Sequence, residues 1–211
     1  ERNIILTSQA AFSVLNTDIA SGDLTDAQID SLFGPGKFID IDPATMKDIK
    51  SIASKFITIN QFLTPLNPQE LSSLAMETAI QFNYFNNNLK AAYVYRGNEF
   101  QSFGQSYVRT DVKGINLTDR MRLFDNKVFL SVGYENLKDN LQKTKLATTT
   151  FETMNAAVSI FPHADFPNIR VEYARNQNNN GIKSTDPVNA IYGIDDATNT
   201  VSVQLSYDLT A

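Results

Sequence analysis

Leu74-Ala75-Met76-Glu77-Thr78-Ala79-Ile80-Gln81-Phe82-Asn83-Tyr84-Phe85 puts leucine, methionine, threonine, isoleucine, phenylalanine and tyrosine on its even positions. Its odd positions are Ala75, Glu77, Ala79, Gln81 and Asn83. Successive side chains of a strand point to opposite faces, so this stretch is predicted to be a strand with one greasy and one polar side. The same two-residue period recurs outward from it. Leu89, Ala91, Tyr93 and Tyr95 oppose Lys90, Ala92, Val94 and Arg96; Ile115, Leu117, Met121 and Leu123 oppose Gly114, Asn116, Thr118, Arg120 and Arg122. Val128 to Tyr134, Met154 to Ile160, Ile169 to Tyr173 and Val201 to Leu209 continue the pattern, and Ile4, Leu6, Ala10, Phe12 and Val14 open it. The count is about eight strands.

Turn lengths test this reading independently, because a hairpin must keep the apolar residues of both strands on one side. A two-residue turn at Asn86-Asn87 pairs Tyr84 with Leu89, Phe82 with Ala91 and Ile80 with Tyr93; one at Asp125-Asn126 pairs Leu123 with Val128, Met121 with Leu130 and Leu117 with Tyr134. Asn and Asp tolerate the positive φ that tight hairpin turns demand. A third short connection, Pro162 to Pro167, pairs Phe161 with Asn168 and Ile160 with Ile169. The other connections are long and polar: Gly97 to Asp111, Asn136 to Ala147, Asn176 to Asn199, and an insert over about 17–70. In that insert Thr25-Asp26-Ala27-Gln28 has capping-box spacing before Ile29, Leu32 and Phe33. Asp42-Pro43 is placed to start a second helix, with Met46, Ile49, Ala53, Phe56 and Ile57 on one face. Both helices are expected to pack at the loop end or in the mouth of the sheet structure.

Charged residues are 19% and hydrophobic ones 42%, yet no run approaches the roughly 18 apolar residues of a membrane helix. The net charge of −5 disfavours a nucleic-acid partner, and the absence of cysteine excludes disulfides and thiolate metal sites. The chain opens on Glu1-Arg2, so it is expected to be mature or a fragment with strands lying upstream.

Alternation alone fits an apolar-out membrane barrel or an apolar-in soluble one. Three features point outward: the large side chains of eight strands exceed a small barrel's interior, the polar face is mostly small or amide residues, and Tyr84, Tyr95, Tyr134, Tyr173 and Tyr207 sit toward strand ends. Short turns alternating with long loops agree. The expected fold is therefore all-β, a single antiparallel up-and-down transmembrane β-barrel domain over 1–211, with about eight strands or the last eight of a larger barrel. The stretch Ser102-Phe103-Gly104 through Thr110-Asp111-Val112-Lys113-Gly114, then Arg122 to Val128, then Val132-Gly133-Tyr134 to Lys138-Asp139-Asn140, resembles the C-terminal barrel region of outer-membrane proteins of Bacteroidota-like bacteria. The resemblance spans about Leu71 to Leu209, implies a bacterial outer-membrane location and carries no assigned activity. Such barrels commonly finish on an aromatic residue; this chain closes Leu209-Thr210-Ala211, so either its end is trimmed or another residue, such as Tyr207, serves.

The chemistry-bearing residues are few. The one histidine, His163, sits in a turn beside Pro162 and Asp165 and is read as solvated, so no catalytic set, cofactor or metal is expected. Asp195-Asp196 and Asp40-Ile41-Asp42 lack the spacing of a calcium loop and are read as solvated acids. Lys90, Arg96, Arg120, Arg122 and Arg170, with Glu77, Glu135, Glu152, Glu172 and Asp208, are assigned to the polar face as a lumen charge network; a selectivity ring is the functional alternative. Asp119 is an exception on the apolar face beside Val132; protonation or a local bulge that turns it inward toward Arg120 would account for it, and the sharper alternative is a covering subunit or partner protein that supplies its donor. The expected function is passage of small solutes or anchoring of an extracellular assembly, with the lipid bilayer as partner. A soluble lipocalin-like ligand binder and an outer-membrane hydrolase are the alternatives.

Overall fold

A computed structural model of the chain describes residues 3–66, 71–102, 104, 108–162 and 166–207. His163, Asp165 and Asp208 lie outside the described residues. The fold is mostly antiparallel β and divides into two compact units. The first comprises residues 1–11, 75–96 and 109–211; the second comprises 12–74 and 97–108, and so contains the helical insert.

The first unit is built on a sheet of eight strands: β1 (Asn3–Phe12), β4 (Leu74–Tyr84), β5 (Asn87–Arg96), β6 (Val112–Leu123), β7 (Val128–Lys138), β8 (Thr150–Ile160), β9 (Asn168–Asn179) and β10 (Asp195–Ser206). Each lies beside its sequence neighbour in that order, and β1 and β10 are the two edges. The expected faces form. Met121 pairs with Leu130 and Leu117 with Tyr134 across β6 and β7, and Ile160 pairs with Ile169 across β8 and β9. On β1 the Ser8 hydroxyl lies 3.0 Å from that of Thr78, and the Asn83 amide donates to Asn3, so β1 runs antiparallel to β4 with Ile4 and Leu6 on the apolar side.

Two hairpins show how far parity reaches. Leu123 pairs with Val128 as expected, the Lys127 amide donates to the Phe124 carbonyl at 3.1 Å, and Phe124, Asp125 and Asn126 all take positive φ, of 53°, 53° and 66°. The β4–β5 turn is instead Phe85-Asn86, with Phe85 at φ 49°, and Leu89 pairs with Phe82 rather than Tyr84. A slip of two residues keeps every side chain on its face, so the alternation could not detect it. The observed register sets Asn83 opposite Asn88, whose amide donates to it, and extends that chain of amides to Asn3. Side-chain amide bonding on the polar face distinguishes two registers that burial leaves equal.

The strands also run past their apolar segments. β9 continues through Asn176–Asn179 and β10 begins at Asp195, where both faces are polar and no alternation marks a strand. On the other side of the sheet β6 and β7 approach closely at Gly114: a Cβ there would lie 1.9 Å from the Asn136 carbonyl oxygen. Gly114→Ala is expected to destabilise the sheet by roughly 1–3 kcal/mol, because backbone must move. Gly133→Ala first meets the Asn155 side chain, which can turn away, and should cost less; denaturant titration of both variants checks the order.

The second unit contains α1 (Asp26–Leu32), α2 (Pro43–Ala53) and a short pairing of β2 (Leu15–Asn16) with β3 (Leu63–Thr64). Thr25 closes the expected capping box with Gln28, and Asp42 caps α2 ahead of Pro43. Leu24, Ile29, Phe33, Ile39, Ile41, Met46, Ile59 and Leu63 form its core. The face anticipated on α2 is only partly used: Met46 and Ala53 pack inward, whereas Ile49, Phe56 and Ile57 are exposed.

Candidate functional site

The apolar side of the eight-stranded sheet is the uncovered one. Val132 is 45% and Val203 64% exposed, while Ala79 on the opposite face is 2% exposed. The polar side lines a cavity bounded by residues of β4 through β9, so the sheet is concave toward its polar face. A water-soluble sheet normally buries its apolar face; this one presents it.

The apolar stripe crosses the hydrogen-bonded rows obliquely. Its loop-side end is Tyr95 on β5, opposite Lys113 of β6; on β7 it is Tyr134, opposite Leu117. On β9 it is Tyr173, which pairs through Ala156 and Val132 to the level of Asp119, and Val201 on β10 pairs with Tyr173. From Lys113 to Asp119 over five strand steps is about one residue per strand. With about 3.3 Å per residue and 4.8 Å between strands, a stripe level about an axis then requires strands tilted by about 35–40° to it. Tyr95, Tyr134 and Tyr173 line its loop side. At the turn side Tyr84, Phe85, Phe124, Phe161, Phe166 and Tyr207 are exposed, Phe124 at 73%. The stripe has one acidic interruption on β6: Asp119 lies between Leu89 and Val132, and its Oδ1 is buried with no hydrogen-bond partner among the described residues.

By strand parity the concave face carries Glu77, Lys90, Arg96, Arg120, Arg122, Glu135, Arg170 and Glu172. Glu152 does not belong with them. It pairs with Asn136 and Gln177 and shares the side of Met154 and Ala156, just beyond the loop-side end of the stripe, where the outward face is itself polar. Lys90 forms an ion pair with Glu77 at 2.8 Å, Arg170 bonds Glu172, and Glu135 accepts from the Asn116 amide at 3.1 Å. Arg120 and Arg122 have no ion-pair partner among the described residues. Both line the cavity, of about 1090 Å³, together with Lys90 and Arg170.

Toward the loops the concave face turns apolar, which composition gave no reason to expect. Val94, Val112 and Leu137 are buried against Phe151, and the Arg109 guanidinium sits 3.8 Å from the Phe151 ring centroid, a cation–π contact. Here too Lys145 joins two carboxylates, Asp111 at 2.6 Å and Asp139 at 2.9 Å. Asp111 accepts from the amides of Leu141 and Asn140, and Asp139 from that of Thr149, so the clamp ties the two loops together. Burial opposes ionisation of Asp111, but Lys145 and the two amides outweigh it and hold the carboxyl below its ordinary range. Burial likewise opposes the charge on Lys145, and its two carboxylate partners outweigh it and raise the ammonium. The lowered acid contributes stability above the ordinary carboxylate pKa and loses it as pH falls through its own; the raised lysine contributes below the ordinary lysine pKa and loses it as pH rises through its own. Hydrogen-exchange protection of the Leu141 amide, which Asp111 accepts, is expected to hold at neutral pH, fall below about pH 4 and be lost in Lys145→Met.

Asp195 and Asp196 begin β10 and accept from Asn179 and Asn178 at 2.9 and 2.8 Å, and Asp42 caps α2. Among the described residues no three His, Cys, Asp or Glu side chains gather as a metal site. No helix is long and apolar enough to cross a membrane, which bears on helices alone. Comparison with protein families, curated proteins and solved structures finds no match.

Proposed function

We propose that the eight-stranded sheet is the wall of a bacterial outer-membrane β-barrel whose polar concave side handles small polar solutes. The observation that carries this reading is the oblique, aromatic-edged stripe on the uncovered face. A bilayer imposes a level apolar band about 25 Å tall on strands tilted by about 35–45°, and the band must then climb about one residue per strand. The stripe on β6, from Ile115 to Leu123, spans about 21 Å along such an axis before side chains are added. Tyrosines on one margin and exposed phenylalanines on the other match the two interfacial girdles.

The polar cavity favours solute handling over bare anchoring, because an anchor needs no roomy polar interior. A soluble apolar-in binder would bury the stripe, and the stripe is exposed. The test is partition: the full chain expressed in a Gram-negative host should sediment with outer membranes and need detergent for extraction. A monodisperse, folded chain in detergent-free buffer would overturn the reading.

A further inference from the structure

We propose that the turn-end cavity of the concave face is a binding site for small oxyanions bearing carboxylate or phosphate groups, an inference that rests on the solute-handling reading above. Among the described residues four cationic side chains line the cavity, Lys90, Arg120, Arg122 and Arg170, and no acidic one does. A charge network that merely filled a lumen would carry acids in comparable number. The described acids nearest in register, Glu172, Glu135 and Glu77, stand outside the lining: Glu172 and Glu77 are engaged with Arg170 and Lys90, and Glu135 accepts from the Asn116 amide. Among the described residues Arg120 and Arg122 have no counter-charge, on a chain whose net charge is −5.

Those two arginines sit two residues apart on one strand, hence on one face and about 7 Å apart. Their planar forks match carboxylate and phosphate oxygens in a way that a lysine ammonium does not. Asn83 and Asn88, in the same lining, add amides suited to hydroxyl and carbonyl groups of an organic anion. The cavity volume of about 1090 Å³ is at the upper end of small-molecule sites, so a hydrated or polyhydroxylated anion fits better than a bare halide. The apolar cluster of Val94, Val112, Leu137 and Phe151 lies toward the loops, which leaves the turn side as the end where the anion is held.

Calorimetric titration of the full chain in detergent micelles with citrate and with inorganic phosphate, and with spermidine as the cationic control, tests this. Saturable binding of at least one anion and none of spermidine is expected. Arg120→Gln/Arg122→Gln should weaken it at least about tenfold, the scale of one lost charge-assisted contact. Ser131→Asp should do the same with both arginines present, since it places a carboxylate directly opposite Arg120 and so keeps the test independent of lost folding. Lys113→Gln/Lys138→Gln removes the same charge from the outward face and should leave binding within about twofold, the titration's own precision in such a comparison. Relative affinity for citrate and phosphate identifies the preferred oxyanion. Failure of both anions to bind, or equal loss in the Lys113/Lys138 variant, would overturn the site. A chain that needs no detergent yet binds citrate would sink the barrel reading and leave the site standing; a chain that needs detergent and binds neither anion would do the reverse.

Discussion

Val171→Arg is expected to destabilise the membrane-inserted chain by roughly 2–4 kcal/mol, whereas Gln177→Arg on the same strand and the same side should cost about 0–1 kcal/mol. Val171 is the middle of the stripe on β9, between Ile169 and Tyr173, and it pairs with Val158 and Val203 in an unbroken apolar row. Gln177 lies four residues beyond Tyr173 toward the loops, opposite Glu152 and Ala197. A guanidinium at the centre of a bilayer loses its hydration, and near the rim it reaches water. If the uncovered stripe faced water instead, both side chains would sit at an ordinary wet surface, and the two substitutions would differ little. Unfolding from lipid vesicles by denaturant gives the pair of values directly.

Asp119→Leu is expected to act in the opposite sense, stabilising the isolated chain by about 1–3 kcal/mol, the usual cost of a buried polar atom left without a partner. Asp119 occupies the row Phe82–Leu89–Asp119–Val132–Ala156–Tyr173–Val201, in which it alone is charged. Its buried Oδ1 has no donor among the described residues. The same variant in native membranes separates bare lipid from a covering subunit: against lipid the gain persists, whereas a partner that donates to Asp119 is lost and assembly weakens. Cross-linking yield in the parent and variant reads that difference.

Much of the sheet was legible because burial and parity are the same variable in a strand. Leu123 with Val128, Met121 with Leu130 and Ile160 with Ile169 follow from alternation and turn length alone. Parity is blind to slips of two, and the β4–β5 hairpin slipped by two toward amide pairing of Asn83 with Asn88. Parity also falls silent where both faces are polar, which hid the ends of β9 and β10. Glu152 was assigned to the polar face by its charge alone, although its parity with Met154 and Ala156 sets it on the outward side. The cavity cations were individually visible as polar-face residues. Their segregation from acids was not, because it depends on which strands meet at the turn end. Arg109 on Phe151 and the Lys145 clamp arise from loops, where no period marks which residue folds back.

Spin labels read most directly whether the stripe faces lipid. The chain has no cysteine, so single cysteines can be introduced and spin-labelled without background. Labels at Leu130, Val158 and Val203 on the stripe, and at Ser131, Ser159 and Gln204 on the concave face, report their surroundings through relaxation by oxygen and by a water-soluble nickel complex. In vesicles the account predicts high oxygen and low nickel accessibility at the first three and nickel accessibility at the second three. Strong nickel relaxation at Leu130, Val158 and Val203, or shielding of all three from both relaxers in a detergent-free solution, would contradict it.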